Sequence, residues 1–116
     1  GAFFHHDAHY GSVLFGAWCV GGPRREIVFS RSGIRVAAGV GDWVAFDPFE
    51  PHAVLDTGAA RYVREHYADA PVSLFVGFEL DLDDSVRRAF GIGPAAHGAT
   101  VLASHVAVNA ESGALQ

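Results

Sequence analysis

The chain contains no lysine: all eight basic residues are arginine, against 13 Asp and Glu, for a formal net charge of -5. An acidic chain with scattered arginines has no basic face for phosphate backbones, which argues against nucleic acid as a partner. Anionic small molecules stay in play, because one arginine holds one carboxylate. Cysteine is nearly absent. Cys19 stands alone, which excludes an internal disulfide and a Cys-rich zinc site. Its place in the apolar run "SVLFGAWCV" reads as a buried structural thiol. No apolar stretch is long enough to span a bilayer. The opening residues lack the basic-then-apolar pattern of a secretion signal. No membrane partner is therefore expected, and the cytoplasm is the default compartment. No repeat or low-complexity segment stands out.

What is present is a chain of 116 residues, half of them hydrophobic, which suits one domain. Up to about residue 80 it consists of short apolar runs of strand length. These are "SVLFGAWCV" (12–20), "REIVFS" (25–30), "GIRVAAG" (33–39), "DWVAFD" (42–47), "HAVLD" (52–56), "ARYVREHYA" (60–68) and "VSLFVGFEL" (72–80). Gly, Pro and Asp separate them in "GGPR", "RSG", "GVGD", "DPFEP" and "DTG". Many short strands with frequent turns predict an antiparallel sandwich or barrel. The pattern then changes at "DLDDSVRRAFG", where acids lead, two arginines trail and Gly91 follows. This predicts a helix over 83–90, capped by Asp81 or Asp83 and closed by Gly91, with Leu82, Val86 and Phe90 facing the core. "ATVLASHVAV" fits a strand or a helix equally, and residues 111–116 are expected to fray.

The segment "FFHHDAHYG" raises the question of a metal. In a strand, side chains two apart share a face, so His5 and Asp7 pair while His6 points away. An imidazole beside a carboxylate supplies two parts of the 2-His-1-carboxylate set that leaves positions open on Fe(II). The third ligand must come from another strand, and His52, after the Pro-bounded loop of "GDWVAFDPFEPH", is the candidate. Nine positions later stands Arg61, followed by Tyr62. A hairpin around "DTGA" between strands beginning at His52 and Arg61 would bring both side chains to one barrel mouth. A metal there would chelate a 2-oxo acid, and the arginine would pair with its far carboxylate. Arg64 competes for that role, and Glu65 would share a face with Arg61.

Residues 3–68 resemble the Fe(II)- and 2-oxoglutarate-dependent dioxygenases, in particular the prolyl-hydroxylase-like group. The order H-x-D, distal His, then Arg with a neighbouring aromatic is met here by His5, Asp7, His52, Arg61 and Tyr62, and "GDWVAF" resembles the Gly-Asp opening of the preceding strand. The resemblance implies a double-stranded β-helix (jelly-roll) barrel. It implies a catalytic Fe(II) held by His5, Asp7 and His52, with 2-oxoglutarate anchored by Arg61 beside Tyr62. The implied reaction hydroxylates a small-molecule or peptide substrate and releases succinate and CO2. Little of the chain precedes H-x-D. The expectation is a trimmed fragment, or a minimal barrel completed by "VSLFVGFEL" or by a second subunit, and exposed strand edges suggest a homodimer.

Two other readings share the fold. "GDWVAFDPFEPHAV" is similar to the second motif of cupins, a metal-binding enzyme or sensor barrel, although "HHDAHYG" offers no H-x-H. The other is a non-catalytic binding or dimerisation barrel whose opening histidines belong to a purification tag. His9 would replace a ligand if the register slipped. His66, His97 and His105 read as ordinary. Tyr10, Trp18 and Trp43 would line a substrate pocket or, as strand aromatics usually do, fill the core. "GIGPAAHG" lacks the Lys-Ser/Thr pair of a phosphate loop and is discarded.

Overall fold

A computed structural model describes residues 1–7, 13–94 and 106–116. His9, Tyr10, His97, His105 and the "ATVLASH" stretch lie outside the described residues, and so do the expectations placed on them. Among the described residues seven strands form: β1 (Ala2–His5), β2 (Val13–Gly21), β3 (Arg25–Phe29), β4 (Arg35–Ala38), β5 (Trp43–Phe46), β6 (His52–Leu55) and β7 (Leu74–Asp81). They make two antiparallel sheets, one ordered β1-β6-β3-β4 and the other β5-β2-β7. The chain passes from one sheet to the other at nearly every connection; only β3 and β4 are consecutive neighbours.

The two sheets are buried differently. Ile27, Phe29 and Ala38 point into the space between them and meet Ala17, Val44, Phe46 and Phe75 of the opposite sheet. On the other face of the four-stranded sheet, Phe4, Val28, Ala53 and Leu55 form a second cluster, covered by Ala59, Tyr62 and Val108. Burial on both faces explains why "REIVF" and "HAVL" read as continuous apolar runs rather than alternating ones. Each fully buried Ile27 or Leu55 contributes about 1.5–3 kcal/mol relative to exposure. The three-stranded sheet has only one covered face. Its outer face leaves Trp18 and Trp43 about half exposed beside Leu74 and Val76. Neither tryptophan belongs to the buried core, which corrects that expectation for them. Cys19 is buried, as its run suggests.

Three other expectations are corrected. The 60–68 run forms no strand; after β6 the chain turns and makes a short 3-10 helix, η1 (Arg64–Tyr67). Its aromatics sit five apart rather than alternating, and Tyr62 stacks on Tyr67 with ring centroids 5.1 Å apart. The hairpin of His52 and Arg61 therefore does not exist. The helix does form, as α1 (Asp84–Phe90), with Asp83 accepting from the amides of Ser85 and Val86 and Gly91 closing it at φ 66°. It buries no residue, because it runs off the end of β7, and Phe90 stays exposed. Residues 111–116 are folded back rather than frayed. Asn109 Oδ1 accepts from the amides of Glu111 and Ser112, and Val108 bridges Leu115. This C-terminal strap is bonded to β1 from Phe4 N to Ala110 O at 2.9 Å. No helix among the described residues is long and apolar enough to cross a membrane.

Candidate metal centre

Antiparallel pairing of β1 with β6 puts His5 directly opposite His52. Their rings lie 4.5 Å apart between centroids. Strand alternation does not place Asp7, because β1 ends at His5. Asp7 sits in the bend beyond, where its amide donates to Pro48 O at 2.8 Å. Pro48 and Pro51 are both fully buried. A proline fixes its own φ, and two of them embedded in the core make the 47–51 loop a stiff platform. That loop also holds His52, whose Nδ1 meets Glu50 O at 2.8 Å.

The three expected ligands converge. His5 Nε2 is 3.9 Å and His52 Nε2 is 3.8 Å from Asp7 Oδ2, and one ligand atom from each lies within 4.8 Å of the others. Ring tautomers follow from the partners. A carbonyl oxygen only accepts, so Nδ1 of His5, bonded to Phe3 O at 2.8 Å, carries the hydrogen. The same holds for His52 on Glu50 O. With both rings neutral, each Nε2 presents a lone pair toward a carboxylate that also only accepts. In that state three lone-pair donors face one another with no hydrogen between them. A cation satisfies such an arrangement, and imidazoles fixed by Nδ1–H bonds to backbone carbonyls are the usual support for a bound metal. Three ligand atoms about 2.1 Å from a divalent ion sit about 3 Å apart. Closing each Asp7 gap therefore needs a shift of about an ångström.

The surroundings are asymmetric. His52 is 5 % exposed and backed by the rings of Phe46, at 4.8 Å, and Phe29, at 6.1 Å. Burial holds its pKa below the ordinary 6.5, against the opposing pull of the Glu50 bond. It is thus kept neutral, as a ligand must be. His5 and Asp7 lie on the more open side, with side-chain exposures of 35 % and 25 %. His6 stays out of the cluster and bonds through Nε2 to Val106 O at 2.8 Å.

Arg61, Tyr62 and Arg64 are not brought onto this cluster. They line a half-open groove of about 770 Å³ together with Phe3, Val63, Glu65, Ala110 and Glu111. None of His5, Asp7 and His52 lines it, although Phe3 touches both sites, edge-on to His5 and to Tyr62 at 5.6 and 6.2 Å. Asp56, at the end of the β6 segment, pairs with Arg25.

Arg25 was not singled out from the sequence. It is 2 % exposed and bonded to Asp56, Ser73 Oγ and Pro71 O, with its guanidinium 5.2 Å from the Tyr67 ring centroid. The available signal was a charge at strand spacing with Ile27 and Phe29, on a face otherwise apolar. Phe29 and Phe46, which wall off His52, carried no sequence signal beyond being strand aromatics. No family model, no curated protein and no solved structure matches the chain.

Proposed function

We propose that this protein is a mononuclear non-haem Fe(II) oxygenase that uses 2-oxoglutarate as cosubstrate. The convergence of one ligand atom each from His5, Asp7 and His52 within 4.8 Å, with both Nδ1 atoms turned to backbone carbonyls, carries the reading. Two imidazoles and one carboxylate on one side of a site are the set that leaves open positions on Fe(II). The strand order supports a double-stranded β-helix, since both sheets are antiparallel and successive strands, β3 and β4 excepted, alternate between them. Fe(II) held there supplies the oxidation of a substrate by dioxygen, coupled to breakdown of 2-oxoglutarate to succinate and CO2.

The chain's own residues do the positioning. The carbonyls of Phe3 and Glu50 aim the two Nε2 atoms, and Pro48 O fixes the bend that presents Asp7. Phe29 and Phe46 exclude water behind His52. The more exposed side of His5 and Asp7 is where cosubstrate and oxygen would enter. Arg61 is not required by this reading, because its groove excludes the three ligands.

That separation favours a second reading, a cupin-like metal barrel with no preference for a 2-oxo acid. Anaerobic titration with Fe(II) and then 2-oxoglutarate separates the two. A visible charge-transfer band that needs both components and disappears in His52→Ala supports the oxygenase. Bound metal with no such band selects the cupin-like barrel, and no metal binding at all removes both.

A further inference from the structure

The groove beside the metal cluster has the makings of a binding site of its own. Its aromatic wall is rigid. Tyr62 stacks on Tyr67 at an interplanar angle of 5°, and Tyr67 is held by the Arg25 guanidinium and by the Asp56 amide, which donates to its hydroxyl at 2.9 Å. The backbone beneath is pinned as well, by Tyr62 N to Glu111 O at 2.9 Å and by Arg35 to Ala59 O at 2.8 Å. The charged side chains on this frame are unengaged. Arg24, Arg25 and Arg35 all have carboxylate partners. Arg61 and Arg64 have neither an ion pair nor a hydrogen bond among the described residues, although Glu65 and Glu111 line the same groove.

Two guanidiniums and two carboxylates leave the groove formally neutral. A dianion such as a dicarboxylate gains two cations there but meets two like charges. A molecule carrying both signs and an apolar body matches every lining group. From the groove shared by Phe3, Tyr62, Arg61, Arg64, Glu65 and Glu111, we infer a binding site for an α-amino acid with an apolar side chain. The carboxylate lies on the arginines, the ammonium on the glutamates and the side chain on the aromatic wall. The volume of about 770 Å³ is in the range of small-molecule sites. Phe3 joins the groove to His5, so as a statement about the substrate of oxidation the inference rests on the proposed iron centre. As a statement about binding it does not.

The test is calorimetric titration of the metal-free and Fe(II)-loaded protein, under argon, with L-phenylalanine, N-acetyl-L-phenylalanine and L-phenylalaninamide. Saturable binding of L-phenylalanine is expected, with each capped form weaker by about tenfold or more, since each loses a charge-assisted pair. The Arg61→Gln/Arg64→Gln double variant should lose phenylalanine binding while keeping its circular dichroism and the Fe(II)/2-oxoglutarate band. His52→Ala should lose the band and keep phenylalanine. No saturation at tens of millimolar, or the amide binding as well as the free acid, would overturn the inference and leave the iron centre standing. Loss of 2-oxoglutarate rather than phenylalanine in the double variant would return the groove to the cosubstrate and overturn it too. Phenylalanine binding without any metal binding would uphold the groove and sink the oxygenase.

Discussion

Asp7→Asn separates what the metal cluster does for folding from what it does for binding. In the metal-free protein the Asp7 carboxylate faces two Nε2 lone pairs at 3.8 and 3.9 Å. It contributes no hydrogen bond to either. Asparagine has nearly the same shape, and its amide donates. A side-chain shift of about an ångström brings that donor within reach of one Nε2. One such bond is worth about 1 kcal/mol, which for a chain this size raises Tm by about 3–6 °C. Metal binding should move the opposite way. At a free Fe(II) concentration 100 times Kd, the wild type gains about 2.7 kcal/mol. If the variant binds about a hundredfold more weakly, the same concentration stabilises it by only about 0.4 kcal/mol. The assay is a pair of anaerobic thermal melts for each protein, one with EDTA and one with Fe(II). The expected result is a crossing: the variant is the more stable without metal and the less stable with it. If Asp7→Asn lowers Tm in EDTA, Asp7 is a structural group and the lone-pair reasoning fails. If both proteins gain equally from Fe(II), Asp7 is not a ligand.

Other expectations follow from the same geometry. Asp56→Ala strands the buried Arg25 cation and should cost about 3–5 kcal/mol, more than Arg25→Met, which leaves the half-exposed Asp56 to water; urea midpoints that reverse this order would refute the account. Gly113 sits at φ 73°, and a Cβ there would lie 2.5 Å from Ser30 Cβ and 2.7 Å from the Phe4 ring. Gly113→Ala should therefore cost about 2–4 kcal/mol and speed hydrogen exchange at the Phe4 amide, which the strap protects; unchanged exchange would show that the strap is dispensable. Glu26 is held below its ordinary pKa of 4.5, first by the Gly58 amide and then by Arg35. Its contribution is complete above that value and is lost as pH falls through the lower folded value. Glu26→Gln should accordingly flatten the acid limb of a stability–pH curve below about pH 4.5, and a curve parallel to wild type would contradict this.

Most of the strands were legible because turn residues bracket them so closely; β3 to β6 fall within the runs that Gly, Pro and Asp mark off, and β2 passes the end of its run by Gly21 alone. The clustering of His5, Asp7 and His52 was legible too, though partly for another reason than the one that places it. Period-two spacing pointed to His5 and Asp7 on one face, yet Asp7 owes its position to Pro48 O on a different loop. Such a bond between distant loops leaves no periodic trace. The 60–68 segment misled because its aromatics suit a strand, while their real partner is each other. The helix pattern gave the element correctly and its burial wrongly, since apolar spacing says nothing of whether a neighbour exists to cover it. Arg25 was overlooked because a charge in a strand reads as surface until the other residues on its face are compared.

The pairing of His5 with His52 has a mechanical consequence. Among the described residues β1 is an edge strand, with β6 as its single neighbour in the sheet. A cation gripped by Asp7 and His52 would tie residue 7 to residue 52 as a cross-link does, closing a loop that contains β2 to β5. By the chain-entropy relation used for disulfides, a closure of that length restricts the unfolded chain by about 4 kcal/mol. A metal held there would then act as a removable rivet. Copies without it would loosen first where β1 meets β6, and proteases that act on opened chains would clear them ahead of the loaded ones.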